Sequence, residues 1–222
     1  MRFFKSIAAA VMMMSLPAAA VAQSDAAKSE SEARAILNEM SQAAKACSTI
    51  EVSFTATYAN KRTGDKHASD GSLKVKGDAY VLDVNGMVTY SDGMTVYVWQ
   101  KEANEVDISD CDPDAEGEMT PTKLFGAYKT GYKLRRLPDA ALSGVNCAQV
   151  DLYPVDKKTD VMRLRISVEK ATMRIRQFEQ STKTGESLTI TVKDFKVNKP
   201  MPDSAFKFDI GAHKGIEVVD LR

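Results

Sequence analysis

Residues 50–58 read Ile-Glu-Val-Ser-Phe-Thr-Ala-Thr-Tyr, and this stretch decides the fold. Apolar side chains stand at Val52, Phe54, Ala56 and Tyr58, and polar side chains stand between them. Successive side chains of a β-strand point to opposite faces of a sheet, so a period of two gives one apolar and one wet face. The stretch therefore predicts a strand with one face on a core and the other in solvent.

The same alternation returns later in the chain. It covers residues 73–76, 80–84, 95–99, 162–168 and 188–192. Short turn sequences such as Asn85-Gly86 and Thr184-Gly185 separate the runs, so neighbouring strands should pair antiparallel. A meander of strands that each have one apolar face curls into a barrel or half-barrel. The predicted fold class is α+β, an incomplete antiparallel β-barrel of about ten to eleven strands with a concave apolar face covered by short lid helices.

Two segments predict the lid helices. Ser29 with Glu32 three residues later is typical of a capping box, and apolar residues then recur at helical spacing, so we expect a helix over 30–46. The acidic stretch 107–120 leads to Pro121, a favoured first helical residue, and Leu124 and Phe125 follow in a second short helix.

The N-terminus has the three parts of a secretory signal peptide. Arg2 and Lys5 precede an apolar run over 7–16, and small residues end at Ala22. The run is shorter than the roughly 20 residues of a membrane-spanning helix. We expect cleavage after Ala22, export to the periplasm, and a single domain over 23–222. No Cys stands at or just after the cleavage site, so this chain is not predicted to be acylated itself.

Charge and residue types exclude several classes of function. The formal net charge is +0, which gives no support to nucleic-acid binding. His67, predicted in a turn, and His213, near the C-terminus, are interpreted as solvated, and no Ser or Cys has a nucleophile-elbow setting. The acidic residues 110–118 do not fit an EF-hand, since Ala115 stands where Gly is needed. We predict no enzyme activity, no metal site and no cofactor, and only weak ion binding of another kind by the acidic residues stays open.

Three cysteines, Cys47, Cys111 and Cys147, would enter an oxidising compartment. One disulfide with one free thiol is the simplest arrangement, and three pairings are open. Cys47 continues the apolar stripe of the first helix, so the pair Cys111 with Cys147 is slightly favoured.

A sheet this wide has more apolar surface than two short helices can cover, which predicts a cavity. Methionines are frequent, at 11 in the chain, and suit either an adaptable binding surface or core packing. Trp99 beside Tyr97 is interpreted as either a ligand platform or a buried aromatic. The candidate ligand-binding residues are Ile36, Leu37, Met40, Val52, Phe54, Leu73, Val75, Tyr80, Leu82, Trp99, Leu124, Phe125, Leu164, Ile166, Leu188 and Ile190.

The order of these elements resembles the LolA family of periplasmic lipoprotein carriers over nearly the whole mature chain. The resemblance rests on residues 50–54 after the helix, then 71–76, 90–99 and 120–125, and the endings 206–208 and 215–220. It implies a half-barrel that holds the acyl chains of lipoproteins, receives cargo from an inner-membrane ABC transporter and delivers it at the outer membrane, with or without an acceptor protein there. A monomer is expected.

One departure from the family concerns the lid. Several members have an Arg after the stretch that matches 73–76, where it bonds to the lid, but this chain has Gly77-Asp78. Packing alone or a later arginine could hold the lid here. Two alternatives to a lipoprotein carrier stay open. The first is a related half-barrel that binds a glycolipid or another amphiphile, or that senses mislocalised lipoproteins. The second is an interaction domain with a filled core.

Overall fold

The computed structural model describes residues 18–111 and 130–222, with side chains from residue 25 onward. One long helix, α1, spans Ala18–Lys45. The strands are β1 Ile50–Asn60, β2 Lys66–Lys76, β3 Ala79–Val84, β4 Met87–Ser91, β5 Thr95–Gln100, β6 Glu105–Asp110, β7 Tyr132–Leu142, β8 Val145–Pro154, β9 Val161–Glu169, β10 Ile175–Thr182, β11 Glu186–Val197 and β12 Glu217–Asp220. Short 3-10 helices span Asp203–Phe206 and Ile210–Ala212. Within the described ranges, no helix combines the length and apolar character needed to cross a membrane.

All twelve strands form a single sheet in the order β12-β6-β5-β4-β3-β2-β1-β11-β10-β9-β8-β7. Two antiparallel meanders, β1–β6 and β7–β11, are joined by the pairing of β1 with β11. The sheet does not close, since β12 and β7 are its two edges. The predicted open half-barrel is confirmed, with twelve strands among the described residues instead of about ten to eleven. The four-residue β12 pairs parallel with β6, an arrangement that a meander does not predict.

The register determines which side chains share a face. Directly opposed residues of antiparallel strands point to the same side, and Val52 lies opposite Leu73, which lies opposite Leu82. We call the side of the sheet that α1 covers the inner face, and this row lies on it. Across β11, β10 and β9, the inner face continues through Ile190, Phe178 and Ile166.

The main core lies between α1 and the inner face of β7–β10. Ala33, Leu37 and Met40 of the helix are at most 1% exposed. Their partners on the sheet include Leu134, Val150, Leu152, Leu164, Ile166, Val168 and Phe178. Full burial of one such aliphatic side chain contributes about 1.5–3 kcal/mol, so this cluster fixes the helix across one half of the sheet.

A second core cluster on β1–β3 depends on a glycine. Phe54 is 5% exposed, and its ring lies across Gly71 on the neighbouring strand. A Cβ atom at residue 71 would lie 2.6 Å from ring atoms Cε2 and Cζ of Phe54 and 2.9 Å from the carbonyl oxygen of Asp83. Only glycine leaves the ring this space, so Gly71 and Phe54 act as a packed pair.

The start of α1 differs from the predicted residue 30. The segment 18–29 is rich in Ala and has no Gly or Pro, so helix propensity continues through it. Ser29 is therefore not an N-cap. Its hydroxyl accepts from the backbone N–H of Arg136, at 2.9 Å, and lies 3.4 Å from the carbonyl oxygen of the same residue. Arg136 lies on the edge strand β7, so the side chain of Ser29 satisfies backbone groups that have no neighbouring strand.

The predicted disulfide between Cys111 and Cys147 is wrong, because all three cysteines are free in this structure. Cys111 follows β6 and Cys147 lies on β8, and these strands are each second from opposite edges of the open sheet. Cys147 is fully buried, and burial raises the pKa of its thiol. Cys47 is half-buried just after α1, and its Sγ lies 3.3 Å from the carbonyl oxygen of Ala43.

Candidate ligand-binding face

Most of the candidate binding residues share the inner face or the helix side that packs on it. Ile36, Leu37 and Met40 belong to α1. The sheet residues on this face are Val52, Phe54, Leu73, Val75, Tyr80, Leu82, Leu164, Ile166, Leu188 and Ile190. Period-two alternation thus identified one continuous apolar surface across the strands β3 to β1 and β11 to β9.

Burial differs between the two halves of this face. Under α1, Leu134, Leu152, Leu164 and Ile166 are at most 5% exposed. On the other half, Leu73, Leu82 and Val98 are only partly buried, although they lie on the same face. The apolar inner face therefore extends beyond the part that α1 packs against.

Two pockets lie beside the C-terminal end of α1. The larger, of about 280 Å³, is bounded by the helix end and by Ile50, Val75 and the Gly77-Asp78 turn. The smaller, of about 100 Å³, lies between the helix and the turn from β9 to β10. Both open at the end of the sheet where β1 begins and β2 ends.

Several residues of these pockets are not among the candidate residues that the sequence predicts. Met173 and Phe195 line the smaller one, and neither belongs to the alternating runs used to choose candidates. Met173 has a left-handed backbone, with φ of 54°, that a pattern of side-chain types does not reveal. Phe195 could have been found, since it lies opposite Val52 once β1 and β11 are aligned.

Trp99 lies on the opposite, outer face, against the expectation that it joins the candidate surface. It pairs with Val88 and Val106, whereas the inner-face residue of this strand is its neighbour Val98. The Trp99 ring packs on Phe208 and His213, with ring centroids 5.8 Å and 4.4 Å away. Trp99 therefore fixes the C-terminal segment to the outside of the sheet.

The structure corrects the predicted turn placement of His67 and the predicted solvation of His213. His213 is not fully solvated: its ring stacks on Phe208 at 4.5 Å, and its Nδ1 lies 2.9 Å from the carbonyl oxygen of Asp209. His67 lies in β2 and not in a turn, with its ring 5.0 Å from that of Tyr58. His213 therefore has a packing role, whereas the side chain of His67 is exposed, as predicted.

The predicted second helix with Leu124 and Phe125 lies outside the described residues, as does most of the acidic stretch 110–118. In the described ranges, no group of three or more His, Cys, Asp or Glu side chains is placed to hold a metal ion.

The outer face of β8 and β9 has one buried ion pair. The Asp151 side chain is 3% exposed and accepts two hydrogen bonds from Arg165, at 2.6 and 3.0 Å. The Tyr153 hydroxyl donates to the same carboxylate at 3.1 Å. The hydrogen bonds that Arg165 donates to Asp151 raise the pKa of Arg165 above its usual value, so the guanidinium stays charged. This network faces away from the inner face and stabilises the sheet.

Comparison with sequence families identifies the chain. Residues 84–209, more than half of the sequence, match the family described as "Outer membrane lipoprotein carrier protein LolA".

The chain belongs to the LolA family.

Solved structures are similar in fold but distant in sequence. An uncharacterized conserved protein from Thermus thermophilus has a TM-score of 0.55 and 12% identity, over 85% of this chain and 99% of that chain. A LolA superfamily protein from Nitrosomonas europaea has a TM-score of 0.42 and 11% identity, over 79% and 97% of the two chains. The Mycobacterium tuberculosis lipoprotein LppX has a TM-score of 0.44 and 13% identity, over 76% and 98%. A search of curated protein sequences found no match.

Membership of the LolA family bears on the class of function. The proteins of this superfamily are periplasmic or otherwise extracytoplasmic, and they are carrier or binding proteins and not enzymes. Lipid or lipoprotein binding is the function that the fold suggests.

Proposed function

We propose that this LolA-family protein binds the acyl chains of lipoproteins on its inner face and carries them through the periplasm from the inner to the outer membrane. One observation supports the proposal most: the apolar inner face continues past α1, where Leu73, Leu82 and Val98 stay partly exposed. Acyl chains gain about 0.8 kcal/mol for each methylene removed from water, so such a surface favours them strongly.

The proposal extends to export and partners. Residues 1–22 act as a signal peptide, and residues 23–222 form the single carrier domain. Cargo comes from an inner-membrane ABC transporter and passes to the outer membrane, to a dedicated acceptor or directly. The carrier acts as a monomer and performs no chemistry. Mass spectrometry of protein from the periplasm should give a chain that begins at Gln23.

The direct test uses purified protein and inner-membrane vesicles that contain a triacylated lipoprotein and its transporter. We expect the protein to release the lipoprotein and to stay with it in one complex after gel filtration. Recovery of free lipids alone, without lipoprotein, would instead support the carrier of a glycolipid or another amphiphile. Failure to retain either would reject acyl-chain binding.

Two variants test the face itself. Phe54 is buried and Leu82 is partly exposed on the inner face. Leu82→Glu places a charge on that face and should reduce lipoprotein retention at least tenfold, and Phe54→Glu should do the same. Asp83→Asn, on the outer face of the same strand as Leu82, is the matched control and should retain cargo. Equal retention by all three variants would show that the inner face is not the binding surface.

A further inference from the structure

The C-terminal end of α1 separates the two pockets. Ala44 and Cys47 line both the pocket of about 280 Å³ and the pocket of about 100 Å³. The larger pocket lies on the side of β1 and β2, and the smaller lies on the side of β10 and β11. The last residues of α1 and the turn after it are therefore the common wall of two openings at one end of the sheet.

This wall is made of small side chains. Ala44 has only a methyl group, and the Sγ of Cys47 lies 3.3 Å from the carbonyl oxygen of Ala43, so the thiol stays against its own helix. In the larger pocket, Ile50 and Val75 begin an apolar path that continues to Val52 and Leu73 in the next row of the inner face. Neither pocket reaches the roughly 300–1,000 Å³ that encloses a small molecule. Each is better suited to admit a narrow chain that continues along the sheet.

A cation lies beside each pocket. Lys45 lines the larger pocket together with one carboxylate, Asp78. Arg174 lines the smaller pocket, and its guanidinium lies 5.2 Å from the centre of the Phe195 ring, a cation–π contact that holds the charge at the edge of an apolar wall. Charge at the rim and apolar side chains within match an aliphatic chain that ends in an acidic head group.

We propose that each pocket admits one fatty acyl chain, with an acidic head group beside Lys45 or Arg174, and that Ala44 and Cys47 keep the two chains apart. This rests on the proposed binding of acyl chains and specifies where they pass between solvent and the inner face.

The first experiment fills the common wall. Ala44→Trp places an indole where both pockets meet, and Ala46→Trp places the same group on the exposed side of the helix end as its control. The probe is undecanoic acid, titrated by isothermal calorimetry into the full chain. We expect Ala44→Trp to weaken binding at least tenfold and Ala46→Trp to change it less than twofold.

The outcomes separate this inference from the proposed function. If the unaltered protein does not bind the probe, acyl-chain binding itself fails. If it binds and Ala44→Trp binds equally well, the chains do not pass these pockets and the inference is overturned.

For the head group, Lys45→Gln combined with Arg174→Gln should weaken binding of the acid at least fivefold more than binding of its methyl ester. Equal weakening would overturn the assignment of the two cations.

A second measurement needs no variant and holds even if Ala44→Trp does not fold. Cys47 is half-buried at the wall, whereas Cys111 is half-buried at the end of β6. Saturating undecanoic acid should slow alkylation of Cys47 by a maleimide at least fivefold, measured by peptide mass spectrometry, and leave Cys111 unchanged. An unchanged rate at Cys47 would overturn the inference.

Discussion

Substitution of Gly71 by alanine tests the packing that shapes the inner face. The added Cβ would lie 2.6 Å from two atoms of the Phe54 ring and 2.9 Å from the carbonyl oxygen of Asp83. Real Cβ atoms essentially never approach other heavy atoms this closely, so the ring or the strand must move. Phe54 is 5% exposed and has little free space to move into. Overpacking of this kind costs about 1–3 kcal/mol.

A smaller effect opposes this cost. Alanine restricts the unfolded chain more than glycine does, which stabilises a protein by about 0.4–1 kcal/mol where the backbone tolerates it. Gly71 is not among the glycines with a positive φ, so its extended backbone accepts alanine. We therefore expect Gly71→Ala to lower the free energy of unfolding by about 1–2 kcal/mol, measured by urea denaturation.

A double-mutant cycle isolates the contact. Phe54→Ala removes the ring and should itself cost about 3–5 kcal/mol. In that background the Cβ at residue 71 meets no ring and keeps only its contact with the carbonyl oxygen of Asp83, so Gly71→Ala should cost less than in the native protein. Directly coupled residues show interaction energies of about 0.5–3 kcal/mol. The same cost in both backgrounds would refute the reasoning, and so would an unchanged stability of Gly71→Ala alone.

Three further changes have predictable effects on stability. Asp151→Asn leaves the partly buried Arg165 without its carboxylate and should lower the free energy of unfolding by about 3 kcal/mol, measured by urea denaturation. An unchanged midpoint would mean that the pair contributes nothing to stability. Ser29→Ala removes the side-chain partner of the Arg136 backbone and should cost about 1 kcal/mol, with faster hydrogen exchange at the Arg136 amide as the specific sign. Backbone N–H donors lower the pKa of Asp92 below 3.8, so its stabilisation is present above about pH 4 and is lost as the pH falls through the lowered pKa. Asp92→Asn should therefore lose less stability than the native protein between pH 4 and pH 2, and equal acid sensitivity would contradict this.

The alternating pattern predicted much of the sheet because it is a local property. Val52, Phe54, Leu73 and Leu82 were assigned to one apolar face from their spacing alone, and the register confirms that they share it. The pattern fails where both faces of a strand are apolar. In β5, Val98 and Trp99 are both apolar, and only the pairing with β4 decides that Val98 faces inward.

What the sequence determined by itself is the type of each strongly periodic element and the apolar side of most strands, because these follow from spacing along one chain. Contacts between distant segments were decided by the tertiary structure. Ser29 bonds to a strand 107 residues away, the ring of Phe54 occupies the space above Gly71, and Ala44 and Cys47 come to stand between two pockets. Local propensity carries no information about such contacts, since each depends on which surface the folded sheet brings against the helix.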